Sequence, residues 1–96
     1  MTIAVLGAGA WGTALASTLA AAGNDVVLWA RDQATVNDVN HRHRNTRYLA
    51  GTELDGTLRA ETDRAAALAQ AEIVLAAVPA QTLRPVLADL AGEARA

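Results

Sequence analysis

The feature that most constrains this chain is a glycine-rich turn at residues 7–12, which reads Gly-Ala-Gly-Ala-Trp-Gly. It follows the apolar residues 3–6 and leads into the helix-forming residues 13–22. Between a buried strand and a helix, Gly7 allows a tight turn, Gly9 lets the backbone approach a pyrophosphate, and Gly12 lets helix and strand pack closely. The helix N-terminus offers unpaired N–H groups and a positive dipole end to an anion. The turn therefore predicts a binding site for dinucleotide phosphates.

Strand and helix signals alternate along the rest of the chain. The first half is expected to contain a strand over 3–6, a helix over 11–22, a strand over 26–30 and a helix from Asp32 to about His41. A strand over 58–60 and a helix over 65–69, capped by Thr62 or Asp63, are expected next. The last elements are a strand over 73–78, ended by Pro79, and an amphipathic helix over 81–90. Residues 42–56 lack periodicity and contain turn formers, which predicts a loop.

This alternation predicts the α/β class. Buried strands separated by helices form parallel sheets, and right-handed crossovers give the spatial strand order 3-2-1-4 with helices on both faces. The pattern is that of a Rossmann-type sheet over residues 1–96, expected to be partial because a full dinucleotide fold continues with further strands.

Composition limits the partners and the compartment. The 96 residues, 52% of them hydrophobic, predict one globular domain. A net charge of -2 gives no general attraction to nucleic acid or to an anionic membrane, so an anion site must be local. The chain has no cysteine for disulfides or thiolate chemistry, no spanning apolar run and no basic signal-peptide segment, and we expect a cytoplasmic protein.

The end of the second predicted strand bears on the choice of nucleotide. Folds specific for NAD usually place Asp or Glu there, to hold the ribose hydroxyls. Here the strand ends at Ala30 and Arg31 follows. A guanidinium pairs with a 2′-phosphate and stacks on adenine, so these residues favour NADP. Asp32 is the contrary signal, and it is expected to cap the next helix in preference to binding ribose.

Two tryptophans have different expected roles. Trp29 lies within a buried strand and is expected in the core. Trp11 lies at the start of the first helix, where an indole could line the cofactor site or pack against a neighbouring helix; both interpretations remain open.

With the glycine turn, Trp29-Ala30-Arg31 and the loop residues 45–49 in view, the chain resembles bacterial NAD(P)-dependent glycerol-3-phosphate dehydrogenases. That family characteristically begins with GAGxWGTALA, and residues 7–16 follow this pattern. Its Trp-x-Arg and Asn-x-x-Tyr-Leu segments are similar to residues 29–31 and 45–49, and its Val-Pro-Ser-Gln-like turn is similar to residues 78–81. The resemblance spans nearly the whole chain.

The resemblance implies that an NADPH site includes positions outside the three glycines. The expected cofactor-binding residues are Gly7, Gly9, Ala10, Trp11, Gly12, Arg31, Tyr48 and Pro79, with Arg31 at the adenosine phosphate end. Two positions depart from the family pattern without removing a charge. Ala50 replaces the usual Pro and should loosen its loop, and Ala80 replaces a frequent Ser that could cap the last helix.

The resemblance also implies a function. The family reduces dihydroxyacetone phosphate to glycerol 3-phosphate for phospholipid synthesis, and the full-length enzyme is expected to be a homodimer. The family's lysines and helical substrate domain are expected beyond this chain, which should bind NADPH, or NAD, without catalytic residues and be inactive alone. Two alternatives remain open: a non-catalytic nucleotide-sensing Rossmann module, and another NADP-dependent 2-hydroxyacid or ketopantoate-type reductase.

Other polar groups are expected to have no catalytic or metal role. The basic residues His41, Arg42, His43, Arg44 and Arg47 predict a solvated loop, because His-x-His lacks a third ligand and the patch is small. Ser17 has no His and Asp partners for nucleophilic catalysis. Glu53, Asp55, Glu61 and Asp63 are expected to be surface charges and a helix cap.

Overall fold

A computed structural model describes residues 1–77 of the chain. In chain order the elements are β1 (Thr2–Leu6), α1 (Ala10–Ala21), β2 (Asp25–Trp29), α2 (Gln33–Asn37), β3 (Arg59–Glu61), α3 (Arg64–Leu68) and β4 (Ile73–Ala76). A π-helical turn over Asp38–Arg42 continues α2. The predicted end of the fourth strand at Val78, Pro79 and the helix over 81–90 lie outside the described residues.

The four strands form one parallel sheet in the order β3-β2-β1-β4, which confirms the predicted topology. Ile3 lies opposite Val26 of β2 on one side and Ile73 of β4 on the other. On the outer side of β2, Leu28 is paired with Ala60 of β3. Since the strands are parallel, their carboxyl ends lie along one edge, where α/β proteins bind ligands.

Alternate residues of the strands pack into two cores, one on each face of the sheet. The larger core includes Val5 and Leu28 together with Ala16 of α1 and Val36 of α2. The smaller one joins Leu6 and Trp29 to Ala67 of α3. Helices therefore cover both faces of the described sheet, as predicted.

Local chemistry sets the helix ends close to the predicted positions. Gly23, at φ +98°, ends α1 in a conformation that favours glycine, and the Asn24 side chain donates to the carbonyl of Leu19 at 3.0 Å. Of the two candidate caps for α3, Asp63 is used: its carboxylate accepts from the N–H of Ala65 at 3.0 Å.

Tertiary contacts explain the π-helical turn, which the periodicity did not predict. The Asn40 side chain donates to the carbonyl of Ala60 at 3.1 Å and accepts from its N–H at 2.8 Å. The turn ends at His43, whose φ is +57°. The second helical segment therefore reaches about the predicted length, but its last turn is held against β3 by a side chain.

Among the helices of residues 1–77, none has the length and apolar character to cross a membrane.

Candidate functional site: a groove at the glycine turn

The glycine turn connects β1 to α1 by a tight change of direction. Gly7 has φ +110°, and its N–H donates to the carbonyl of Trp29 at 3.1 Å. A Cβ on Gly12 would lie 2.0 Å from the carbonyl oxygen of Gly7 and 3.1 Å from the Cβ of Ala77. Only glycine fits at position 12 without a shift of the backbone, so the predicted close packing of helix and strand is confirmed.

The N-terminus of α1 has the properties of an anion site. Among the described residues no side chain caps it, and its first turn contains no acidic residue. The N–H groups of the first helical turn have no partner within the helix and face outward from its end. A Cβ on Gly9 would meet no atom within 4 Å, so the backbone is openly accessible there. The helix is twelve residues long, from Ala10 to Ala21, and the positive end of its dipole lies at these N–H groups.

A groove of about 570 Å³ opens in front of this helix end. It lies where β1, β2 and β4 end, and its lining contains all but one of the residues that the sequence predicted for the cofactor. The lining residues are Gly7, Ala8, Gly9, Ala10, Trp11, Gly12, Trp29, Arg31, Asp32, Tyr48, Ala76 and Ala77. The exception is Pro79, which lies outside the described residues. Residues far apart in sequence thus meet in one groove.

The tryptophans occupy different environments. Trp29 is 6% exposed, and its indole N–H donates to the carbonyl of Thr62 at 2.9 Å, which confirms the predicted core position. Arg64 places its guanidinium carbon 5.3 Å from the Trp29 ring centre. Trp11 is 69% exposed and lines the groove. Of its two interpretations, the position at the groove is the one that the described residues favour.

Arg31 and Asp32 extend from the end of β2 at the rim of the groove. Arg31 is exposed and makes no ion pair or side-chain hydrogen bond with any residue between 1 and 77. Asp32 caps α2, as predicted: its carboxylate accepts from the N–H of Thr35 at 3.1 Å and from its hydroxyl at 2.8 Å. These hydrogen bonds, assisted by the charge of Arg47, hold the pKa of Asp32 below its ordinary value of 3.8.

Asn45 is a structural residue of the site whose role the sequence did not predict. It is fully buried, and its amide donates to the carbonyl of Ala8 at 2.9 Å and to the Thr13 hydroxyl at 2.8 Å. Its side-chain oxygen accepts from the N–H of Tyr48 at 3.3 Å. One side chain therefore ties the loop that carries Tyr48 to the glycine turn. The only signal was its place in the Asn-x-x-Tyr-Leu segment, since a polar residue in an aperiodic loop does not reveal burial.

A second groove, of about 580 Å³, adjoins the first and shares Asp32 with it. Its lining includes Arg42 and Arg47, which are largely exposed and pair with Asp38 and Asp32, each at 3.6 Å. Both arginines are exposed, as predicted, although Arg42 lies in the π-helical turn and not in a loop. Within residues 1–77 no three His, Cys, Asp or Glu side chains are grouped as a metal site requires.

Ser17, Asp55 and Glu61 have structural contacts. The Ser17 hydroxyl oxygen accepts from the N–H of Asp55 at 2.9 Å, which ties the loop to α1. The Asp55 carboxylate accepts from the N–H of Thr57 at 2.9 Å, and this residue's hydrogen bonds lower the pKa of Asp55. Glu61 accepts from the N–H groups of Thr62 and Asp63, both at 3.1 Å.

Comparison with known proteins agrees with the fold. A curated glycerol-3-phosphate dehydrogenase (NAD(P)+) from Chelativorans sp. is 59% identical over 87 residues, which are 91% of this chain and 27% of that relative. The chain thus spans about a quarter of the length of the curated relatives it matches.

Solved structures give the same result. A Plasmodium falciparum glycerol-3-phosphate dehydrogenase superposes with a TM-score of 0.86 at 33% identity, over 96% of this chain and 28% of the other. A second one, from Coxiella burnetii, has a TM-score of 0.80 at 39% identity, over 88% of this chain and 26% of its own. The model of the NAD-dependent glycerol-3-phosphate dehydrogenase N-terminus matches residues 2–96. Because that match covers nearly the whole chain, the protein belongs to this family of N-terminal dehydrogenase domains.

Proposed function

We propose that this chain is the cofactor-binding part of an enzyme that reduces dihydroxyacetone phosphate to glycerol 3-phosphate with NADPH in preference to NADH. The relatives are named for NAD(P)+ and for glycerol 3-phosphate, which supports the reaction and its substrate. The wider role in phospholipid synthesis, a cytoplasmic location and a homodimeric whole enzyme belong to the same proposal.

The residues of the groove suit a dinucleotide. The uncapped N-terminus of α1 supplies backbone donors for the pyrophosphate, and the exposed backbone at Gly9 permits close approach. Trp11 and Tyr48 offer aromatic surface on the lining. When bound, the cofactor supplies the hydride; the described residues contribute binding and orientation, and we assign them no proton transfer.

One observation supports the preference for NADPH: Arg31 lies at the groove, and its side chain is unpaired among the described residues. Arg31 follows the buried Ala30, which comes directly after β2. Its guanidinium lies at the groove rim and is not paired with any described side chain. A guanidinium that is not committed to a carboxylate can form a bidentate pair with the 2′-phosphate, the group by which NADP differs from NAD.

Calorimetric titration of the purified whole chain with NADPH and with NADH tests this proposal. We expect tighter binding of NADPH in the wild type. Arg31→Ala should weaken NADPH binding by about tenfold or more, the range for a charge-assisted hydrogen bond, while NADH binding changes little.

Arg44→Ala is the matched control, because Arg44 is also exposed but lines neither groove. It should leave both affinities unchanged. Equal binding of the two cofactors by the wild type, or an unchanged preference in Arg31→Ala, would contradict the proposed role of Arg31. A chain that binds nucleotide but yields no dehydrogenase activity in its whole protein would favour the nucleotide-sensing alternative.

A further inference from the structure

An acidic residue stands next to the proposed phosphate-binding arginine. Asp32 follows Arg31 directly and lines the same groove. An acid close to the end of the second strand is the usual feature of NAD-specific folds, because a carboxylate repels a 2′-phosphate and accepts from a ribose hydroxyl. A preference for NADPH at this groove therefore requires that the charge of Asp32 be countered.

The structure shows how this carboxylate is engaged. Its Oδ2 accepts two hydrogen bonds from Thr35, as described, and the Nη1 of Arg47 lies 3.6 Å from the same oxygen. The hydrogen bonds keep the carboxylate ionised, so they fix its position without removing its charge. The Asp32 side chain is 34% exposed, and Asp32 lines both grooves. Arg47 is the only residue within ion-pair distance of it among residues 1–77.

Arg47 also has an aromatic neighbour. Its guanidinium carbon lies 5.1 Å from the ring centre of Tyr48, within the range of a cation–π contact. Tyr48 lines the first groove and Arg47 lines the second. The backbone of this loop is anchored through Asn45 to the glycine turn. The positive charge is therefore placed at the boundary of the two grooves, on a loop whose position is tied to the cofactor groove.

We propose that Arg47 is a specificity-determining residue, which pairs with Asp32 so that this carboxylate does not repel the 2′-phosphate held by Arg31. The inference rests on the proposed function, since it concerns selectivity at the same groove. Arg47 acts through Asp32 and through the local potential; it is not required to contact the nucleotide. With Asp32 unpaired, the residues after β2 would favour NAD. With Arg47 paired to Asp32, the same groove accepts NADP.

The test is a double-mutant cycle on the whole chain, with calorimetric affinities for NADPH and NADH measured for the wild type, Arg47→Gln, Asp32→Asn and the double variant. Arg47→Gln should lower the NADPH-to-NADH preference about fivefold, the upper range for a partly exposed ion pair, mainly by weakening NADPH binding. Asparagine caps helices about as well as aspartate, so Asp32→Asn keeps the start of α2. When Asp32 is already replaced by Asn, the Arg47→Gln change should have little effect on the NADPH-to-NADH preference.

Arg42→Gln is the matched control, because Arg42 makes an equally long ion pair, with Asp38, which does not line the cofactor groove. It should leave the preference unchanged. An unaltered preference in Arg47→Gln overturns the inference. An equal loss in the wild-type and Asp32→Asn backgrounds also overturns it, since Arg47 would then bind the phosphate directly.

The same series of variants, together with Arg31→Ala, distinguishes a failure of the proposed function from a failure of the role proposed for Arg47. If the wild type has no preference for NADPH, or if Arg31→Ala does not alter it, the proposed function fails, and this inference fails with it. If Arg31→Ala abolishes the preference while Arg47→Gln preserves it, only the role of Arg47 is wrong.

Discussion

Two glycines of the same turn differ in how much room the structure leaves for a side chain. At position 12 an added Cβ would collide with the backbone carbonyl of Gly7 at 2.0 Å, and a backbone atom cannot rotate away as a flexible side chain can. Gly12→Ala should therefore force α1 away from β1 and destabilise the fold by about 1–3 kcal/mol, as other overpacked sites do. Urea unfolding measures this loss, and unchanged stability would show that the turn adapts.

Gly9→Ala provides the contrast at the residue scale. Its Cβ would meet no protein atom within 4 Å, and its φ of -68° is open to any residue. We expect its unfolding free energy to stay within about 0.5 kcal/mol of the wild type. Binding of NADPH should weaken, because the methyl group would occupy space that the proposed pyrophosphate approaches. Intact affinity would place the pyrophosphate elsewhere.

At the scale of elements, the loop between α2 and β3 depends on one buried amide. Asn45→Ala would leave the carbonyl of Ala8 and the hydroxyl of Thr13 without the donor they share. The Thr13 hydroxyl still donates to the carbonyl of Ala8 at 3.2 Å, so both groups keep one partner, but the N–H of Tyr48 loses its acceptor. A loss of about 1–2 kcal/mol is therefore expected in urea unfolding. Asn37→Ala is the matched control, since Asn37 is exposed and, within residues 1–77, its side chain accepts only from Gln33, at 2.9 Å. This variant should cost less than about 0.5 kcal/mol.

The elements also show what local sequence can predict. β1 and α1 each begin one residue before the predicted position, because apolar runs, glycine stops and caps are local signals. The predicted strand order is also confirmed. The predicted third strand is displaced by one residue, and the π-helical turn was missed. Two contacts beside the groove, Asn45 with Ala8 and Arg47 with Asp32, join residues that are 37 and 15 positions apart. They arise only when a loop without periodicity folds back on the sheet edge.

At the scale of the whole molecule, stability is linked to pH by three carboxylates that follow β2 within residues 1–77. Hydrogen bonds from Thr35, Thr46 and Thr57 are the main causes that lower the pKa values of Asp32, Asp38 and Asp55, respectively, from the ordinary 3.8. A group with a lowered folded-state pKa stabilises the protein above its unfolded pKa, and this contribution is lost as the pH falls through the folded value.

The unfolding free energy should therefore change little from these groups between pH 7 and pH 5, and should decrease as the pH falls below about 4. Urea unfolding across this range measures the profile. Asp32→Asn, which retains the cap, should make the acid-side decrease shallower. A profile that is identical in this variant would mean that Asp32 is equally ionised in the folded and unfolded chains.

The hydrogen bonds of Asn40 have a consequence for how the molecule behaves among other copies of itself. β3 is an outer strand of the described sheet, and such strands offer free backbone groups on which other chains can assemble. The amide of Asn40 occupies both the N–H and the C=O of Ala60, the outward-facing pair at the centre of this short strand. A single side chain thus occupies the backbone groups on which an added strand would pair, so this part of the edge is a poor template for strand addition by another copy.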